Sequence, residues 1–138
     1  MRYMMIMFPD VYRNAKAGWT PDLASIESMR KYNEELGRAG VLQALDGLTP
    51  PATMSARVTF RDGKSTVTDG PFTEAKEIVG GFWIIDVKSR QEALDWAARI
   101  PGSENEMVEV RRLFDVTDFP AEVQERLGEL EEQSAGGG

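Results

Sequence analysis

Two segments constrain the fold of this chain more than any other: Arg2–Phe8 and Gly81–Val87 are apolar on both faces. Successive side chains of an extended strand point to opposite sides. Tyr3, Met5 and Met7 then face one way, and Met4, Ile6 and Phe8 the other. In the second segment Phe82 and Ile84 oppose Trp83, Ile85 and Val87. Strands of this kind belong inside a layered structure, covered on both sides.

Two helical segments supply one covering layer. Ile26, Met29, Tyr32 and Leu36 share a helical face, with Leu23 and Ala39 at its margins. Thr20 is the expected cap, Pro21 the first helical residue and Gly40 the stop. Ser89-Arg90-Gln91-Glu92 reads as a capping box. The helix after it carries Ala93, Trp96, Ala97 and Ile100 at helical spacing and ends at Pro101-Gly102. Val41–Leu48 and Met107–Leu113 read as further strands. Val108 and Val110 share one side of the last strand, Glu109 and Arg111 the other. Asp62-Gly63 predicts a hairpin between Ala56–Phe60 and Lys64–Val67, with Val58 and Phe60 facing the core. The order predicts an α+β fold of the ferredoxin-like kind, an antiparallel sheet with two main helices on one face. Two helices cover one face only, so a homodimer is expected to cover the other. The domain is expected over residues 1–118. An acidic, helix-prone tail over 119–138 ends in a flexible glycine run.

Composition removes whole classes of chemistry. The 138 residues contain no cysteine and no histidine. Disulfide scaffolds, thiolate metal sites, cysteine nucleophiles and histidine bases are therefore absent from this sequence. No cofactor motif or metal site is read, and proton transfer falls to Asp, Glu, Lys, Tyr or water. The formal net charge of −7 argues against nucleic-acid binding. No apolar run is long enough for a membrane span, and a cytoplasmic location is expected.

The chemistry-bearing stretch is Thr68–Glu77, running into Ile78–Ile85. Gly70 and Pro71 make a tight turn, and Asp69, Glu74, Lys76 and Glu77 fall within nine residues. Asp69 is the candidate acid or base, or a turn residue bonded to its own backbone. Lys76 and Arg111 are candidates to hold an anionic group, since a guanidinium presents a planar fork to two oxygens. Glu109 beside Arg111 reads as substrate contact or ion pair. Phe72 and Tyr32 are candidates to line a pocket for a planar organic molecule, and Tyr32 needs a hydroxyl partner if buried. Trp19 either closes a pocket mouth or caps the core. Gly80-Gly81 reads as ligand approach or as a tight start to the strand.

Thr68-Asp69-Gly70-Pro71-Phe72-Thr73-Glu74-Ala75-Lys76-Glu77 with Gly80-Gly81-Phe82-Trp83-Ile84-Ile85 resembles the signature of the DGPF branch of the YCII-related proteins. Glu92–Pro101 and Val108–Arg112 are similar to that branch's later blocks, and the resemblance runs from Met1 to about Val116. It implies a dimeric ferredoxin-like or α+β barrel fold, with a pocket between helices and sheet or between subunits. Related YCII proteins place a His-Asp pair in that pocket, and one branch is linked to dehydrochlorination of chlorinated hydroxyquinols. Without histidine the pair cannot be carried over, and Asp69 is the remaining candidate. Members of the DGPF branch also accompany extracytoplasmic-function sigma factors. The expectation is a homodimer binding a small organic molecule, as a metal-independent lyase or isomerase using carboxylates, or as a non-catalytic sensing or regulatory module.

Overall fold

A computed structural model of the chain describes residues 1–70, 72 and 77–136. The strands are β1 (Arg2–Phe8), β2 (Leu42–Gly47), β3 (Ala56–Arg61), β4 (Lys64–Asp69), β5 (Gly81–Asp86) and β6 (Met107–Arg112). The helices are α1 (Leu23–Arg38), α2 (Arg90–Ala98) and α3 (Ala121–Gly136). Four strands form an antiparallel sheet in the order β2-β5-β1-β6. With α1 and α2 as crossovers this is the ferredoxin-like arrangement, and β1 and β5 take its two central places. The two segments that are apolar on both sides thus become the interior strands.

One face of the sheet carries the core. Tyr3, Met5 and Met7 sit level with Ile85, Trp83 and Gly81 on β5, and with Arg112, Val110 and Val108 on β6. Tyr32 and Leu36 of α1 and Ala93 of α2 are buried in the same cluster. Met5, Leu36 and Ile85 are fully enclosed. A Glu35–Arg99 ion pair ties α1 to the end of α2, and the Arg99 guanidinium lies 4.5 Å from the centre of the Trp96 ring.

Local chemistry sets the ends of the elements, not always at the expected residue. The first helix begins later than Thr20-Pro21: Asp22 is the cap, and its carboxylate accepts from the Ser25 amide at 2.8 Å. A carboxylate two residues on reaches the free amides of the first turn, and the chain before it stays extended. Ser89 caps α2 by accepting from the Glu92 amide at 3.1 Å. The Glu92 carboxylate closes back onto the Lys88 amide at 2.9 Å, one residue before the cap. The helix α3 continues through Ser134–Gly136, where composition alone reads a flexible tail.

The hairpin departs from expectation. Among the described residues β3 and β4 pair only with each other, as a separate two-stranded sheet. Asp62 and Gly63 both take positive φ, 52° and 74°, the conformation a two-residue hairpin turn requires. Val58 and Phe60 do not face the core: they are 52% and 81% exposed, with Val67 opposite Val58 at 67%. Alternation was read correctly, but alternation says which residues share a side and nothing about what lies on that side.

The second face of the main sheet carries no crossover helix. Met4, Ile6, Phe8, Phe82 and Ile84 share it and are half-buried. Glu109 and Arg111 lie on it beside Ile6 and Met4. Among the described residues no helix is long and apolar enough to cross a membrane.

Candidate functional site

The first two turns of α1 carry apolar residues that the sheet does not cover. Leu23 is 76% and Ile26 49% exposed, whereas Tyr32 and Leu36, further along the same stripe, are buried. The helix therefore stands off the sheet at its start. The gap is a cleft of about 1490 Å³. Its walls are the first half of α1, the Asp10–Arg13 3-10 turn with the following loop, the ends of β2 and β5, and the Pro101–Glu106 loop.

Aromatic and polar groups in this cleft are held in place. Tyr12 and Trp19 meet edge to face with ring centres 5.2 Å apart. The Tyr12 hydroxyl donates to the Leu48 carbonyl at 2.7 Å, fixing the ring against the end of β2. Burial raises its phenol above the ordinary value, so Tyr12 stays neutral. Gly80 seals the lower end: its amide donates to Met7 and its carbonyl accepts from Leu48. A Cβ on Gly80 would stand 2.4 Å from the Pro9 ring, and one on Gly81 would stand 2.9 Å from the Asp46 carbonyl oxygen. The paired glycines therefore serve close chain packing at the start of β5.

Asn33 is the polar group best positioned inside. The Trp83 indole N–H donates to its side-chain oxygen at 2.8 Å. An indole nitrogen only donates, so Asn33 must turn its oxygen toward Trp83. Its two amide N–H donors are left for the cleft.

Among the described residues the charges along the cleft are one-sided. Asp10, Asp22, Glu34, Asp46, Glu104 and Glu106 line it against the guanidinium of Arg30. Most of these carboxylates have structural duties. Asp22 caps α1, and its bonds to Ser25 lower its pKa. Asp46 accepts from the Gly47 amide, Glu106 from the Asp10 and Ser103 amides, Glu34 pairs with Arg30, and Asp10 lies 3.7 Å from Arg13.

Most of the described residues singled out from the sequence as site candidates lie elsewhere. Tyr32 is 4% exposed within the core. Its hydroxyl donates to the Trp96 carbonyl at 2.8 Å, and its ring meets Trp83 and Trp96 edge to face. Glu109 and Arg111 occupy the opposite face of the sheet. Asp69 ends β4, opposite Ala56 at the base of the hairpin, and is exposed. Phe72 lies under the Arg57 guanidinium, 3.8 Å from the ring centre. Lys76 and Glu74 lie outside the described residues. Within one chain Asp69, Arg111 and Tyr32 do not meet in a common cavity. Trp19 does line the cleft, whereas Tyr12 and Asn33 were not anticipated. One signal for Asn33 was present: it stands four residues after Met29 and three before Leu36, a polar residue inside an apolar stripe.

Comparison with known proteins adds two findings. The family model of the YCII-related domain matches residues 1–117. An uncharacterised protein of Rhizobium meliloti (strain 1021) is 41% identical over 76 residues, 55% of this chain and 56% of that protein. The match thus spans about half the length of the curated relative.

Proposed function

The chain belongs to the YCII-related domain family, and on that premise we propose that it binds a small planar organic molecule, neutral or cationic, in the cleft under α1. The observation that carries this reading is the cleft itself: one large concavity with fixed aromatic walls and a single oriented amide. Ligand sites are concave and mostly apolar, with few placed polar groups. Tyr12 and Trp19 offer ring faces and edges, and the Asn33 amide offers donors to a carbonyl or ring nitrogen. Among the described residues, six carboxylates against one guanidinium repel an anion and favour a cation. The DGPF branch, with its Asp69–Phe72 turn, is the part of the family in which we place it.

Binding without turnover, as in a sensing module, is favoured over lyase or isomerase chemistry. Asp22, Glu34, Asp46 and Glu106 already hold backbone amides or a guanidinium. A carboxylate whose pKa is lowered, as that of Asp22 is, makes a weaker base. Asp69, the sequence's candidate base, stands outside the cleft.

A thermal-shift screen of planar amines, neutral heterocycles and aromatic carboxylates tests this. Neutral or cationic compounds raise the Tm of the native chain, and Trp19→Ala abolishes the shift. Stabilisation by carboxylates alone, or hits that Trp19→Ala leaves untouched, defeats the reading. Incubating the hits with native protein and Asp69→Asn, with product detection, separates sensor from enzyme.

A further inference from the structure

Gly70, the glycine of the Asp-Gly-Pro-Phe motif, packs directly on the 50–55 loop. Its amide donates to the Ser55 carbonyl at 2.8 Å. A Cβ there would stand 2.9 Å from the Pro51 carbonyl oxygen and would strike the Ser55 hydroxyl, which itself donates to that carbonyl. A backbone oxygen cannot swing aside as the end of a side chain can, so glycine is what lets the loop close on this turn. The rest of the loop is anchored too. Pro50 is fully buried. Thr53 donates its amide to the Pro50 carbonyl at 2.8 Å, and its carbonyl accepts from the Thr49 hydroxyl at 3.4 Å. The Thr53 hydroxyl oxygen reaches away from the loop and accepts the Gly18 amide at 3.2 Å.

Gly18 takes a positive φ of 82°, and Trp19 follows it. The other bonds of this turn are local: the Asn14 amide donates to Val11 and the Trp19 amide to Lys16. Among the described residues the bond to Thr53 is the one hydrogen bond that ties residues 14–21 to a distant segment. We propose, on the reading of the cleft as a ligand site, that Gly70 and Thr53 are positioning residues for Trp19. The motif then acts on the ligand through the 50–55 loop rather than by contact. Thr53 lies two residues from both Pro51 and Ser55, so a shift of either moves its hydroxyl. Trp19 is half-buried and rests edge to face on Tyr12, a ring already fixed to Leu48. Its place is therefore set by the turn that carries it. Phe60, opposite Ser65 near the hairpin turn, lies outside this chain of contacts.

Fluorine NMR of the full chain carrying fluorotryptophan tests the brace. Three resonances are expected, for Trp19, Trp83 and Trp96, and Trp19→Phe assigns the first. Thr53→Val keeps the shape and removes the acceptor. It shifts and broadens the Trp19 resonance and leaves those of Trp83 and Trp96 in place. Thr53→Ser restores the acceptor and the native signal. Gly70→Ala moves the Trp19 resonance as Thr53→Val does. Compounds found by the thermal-shift screen bind Thr53→Val about fivefold more weakly, and Thr53→Ser as they bind the native chain. A Trp19 resonance that Thr53→Val or Gly70→Ala leaves unmoved, or a Thr53→Ser chain that behaves as Thr53→Val does, overturns the proposal. The resonance is read without ligand, so an empty screen defeats the cleft reading alone, and an unmoved Trp19 signal defeats the brace alone.

Discussion

Asn33 shows how one side chain can join fold to site. Its oxygen takes the indole proton of Trp83, a core residue 4% exposed, while its amide donors remain for the cleft. Asn33→Leu leaves that indole unpaired, and the expected cost is about 1–3 kcal/mol in denaturant unfolding. Asn33→Asp keeps an acceptor and is expected to retain most of the stability. Tyr32 makes a second prediction. Burial pushes its phenol well above the usual range, so the folded chain holds that proton more tightly than the unfolded one. The stability this supports is complete below about pH 10 and is lost as pH rises through the raised value. Tyr32→Phe is expected to cost about 1 kcal/mol at neutral pH through the lost bond to Trp96. It also flattens the alkaline decline measured by urea melts from pH 8 upward.

At the scale of elements, α1 decides the site. Its apolar stripe continues into the first two turns, where nothing lies beneath it, and that uncovered stretch roofs the cleft. The cap that starts the helix therefore also positions the roof. Asp22→Ala is expected to lower the Tm at pH 7 and weaken ligand binding. Asp22→Asn, an equally good cap, is expected to preserve both. The two also differ in pH dependence. The Asp22 pKa is lowered by its bonds to Ser25, so the stability it gives is present above the unfolded pKa and lost as pH falls through the folded one. Acid denaturation of Asp22→Asn begins from a lower pH than that of the native chain. The stripe of α1 was legible from spacing alone, because Tyr32 and Leu36 repeat at a helical period. Its partial coverage was not, because period is a property of one helix and coverage is a property of two elements.

At the scale of the whole molecule, the cleft and the hairpin are different surfaces. The cleft opens under α1, whereas the hairpin is a separate two-stranded sheet whose residues do not line it. They are expected to be separable. Trp19→Ala removes the ligand-induced Tm shift and leaves the sedimentation coefficient unchanged. Phe60→Asp leaves the ligand-induced Tm shift intact. Coupled loss in either variant means that one surface shapes the other.

What the amino-acid sequence determined by itself is local or periodic. Strands apolar on both sides became β1 and β5 at the centre of the sheet, and Asp62-Gly63 became the hairpin turn. The acidic turn was equally legible as a motif, and Asp69 was read from it as the place for chemistry. Only the tertiary structure decided which groups meet. Asp69 stands at the base of a hairpin apart from the main sheet, Arg111 and Tyr32 lie on opposite faces of that sheet, and Tyr12, Trp19 and Asn33 converge from three segments on one cleft. The reason is physical. Propensity, capping and alternation act over a few residues, whereas a cleft is the space left where distant elements fail to pack, and no single segment carries its record.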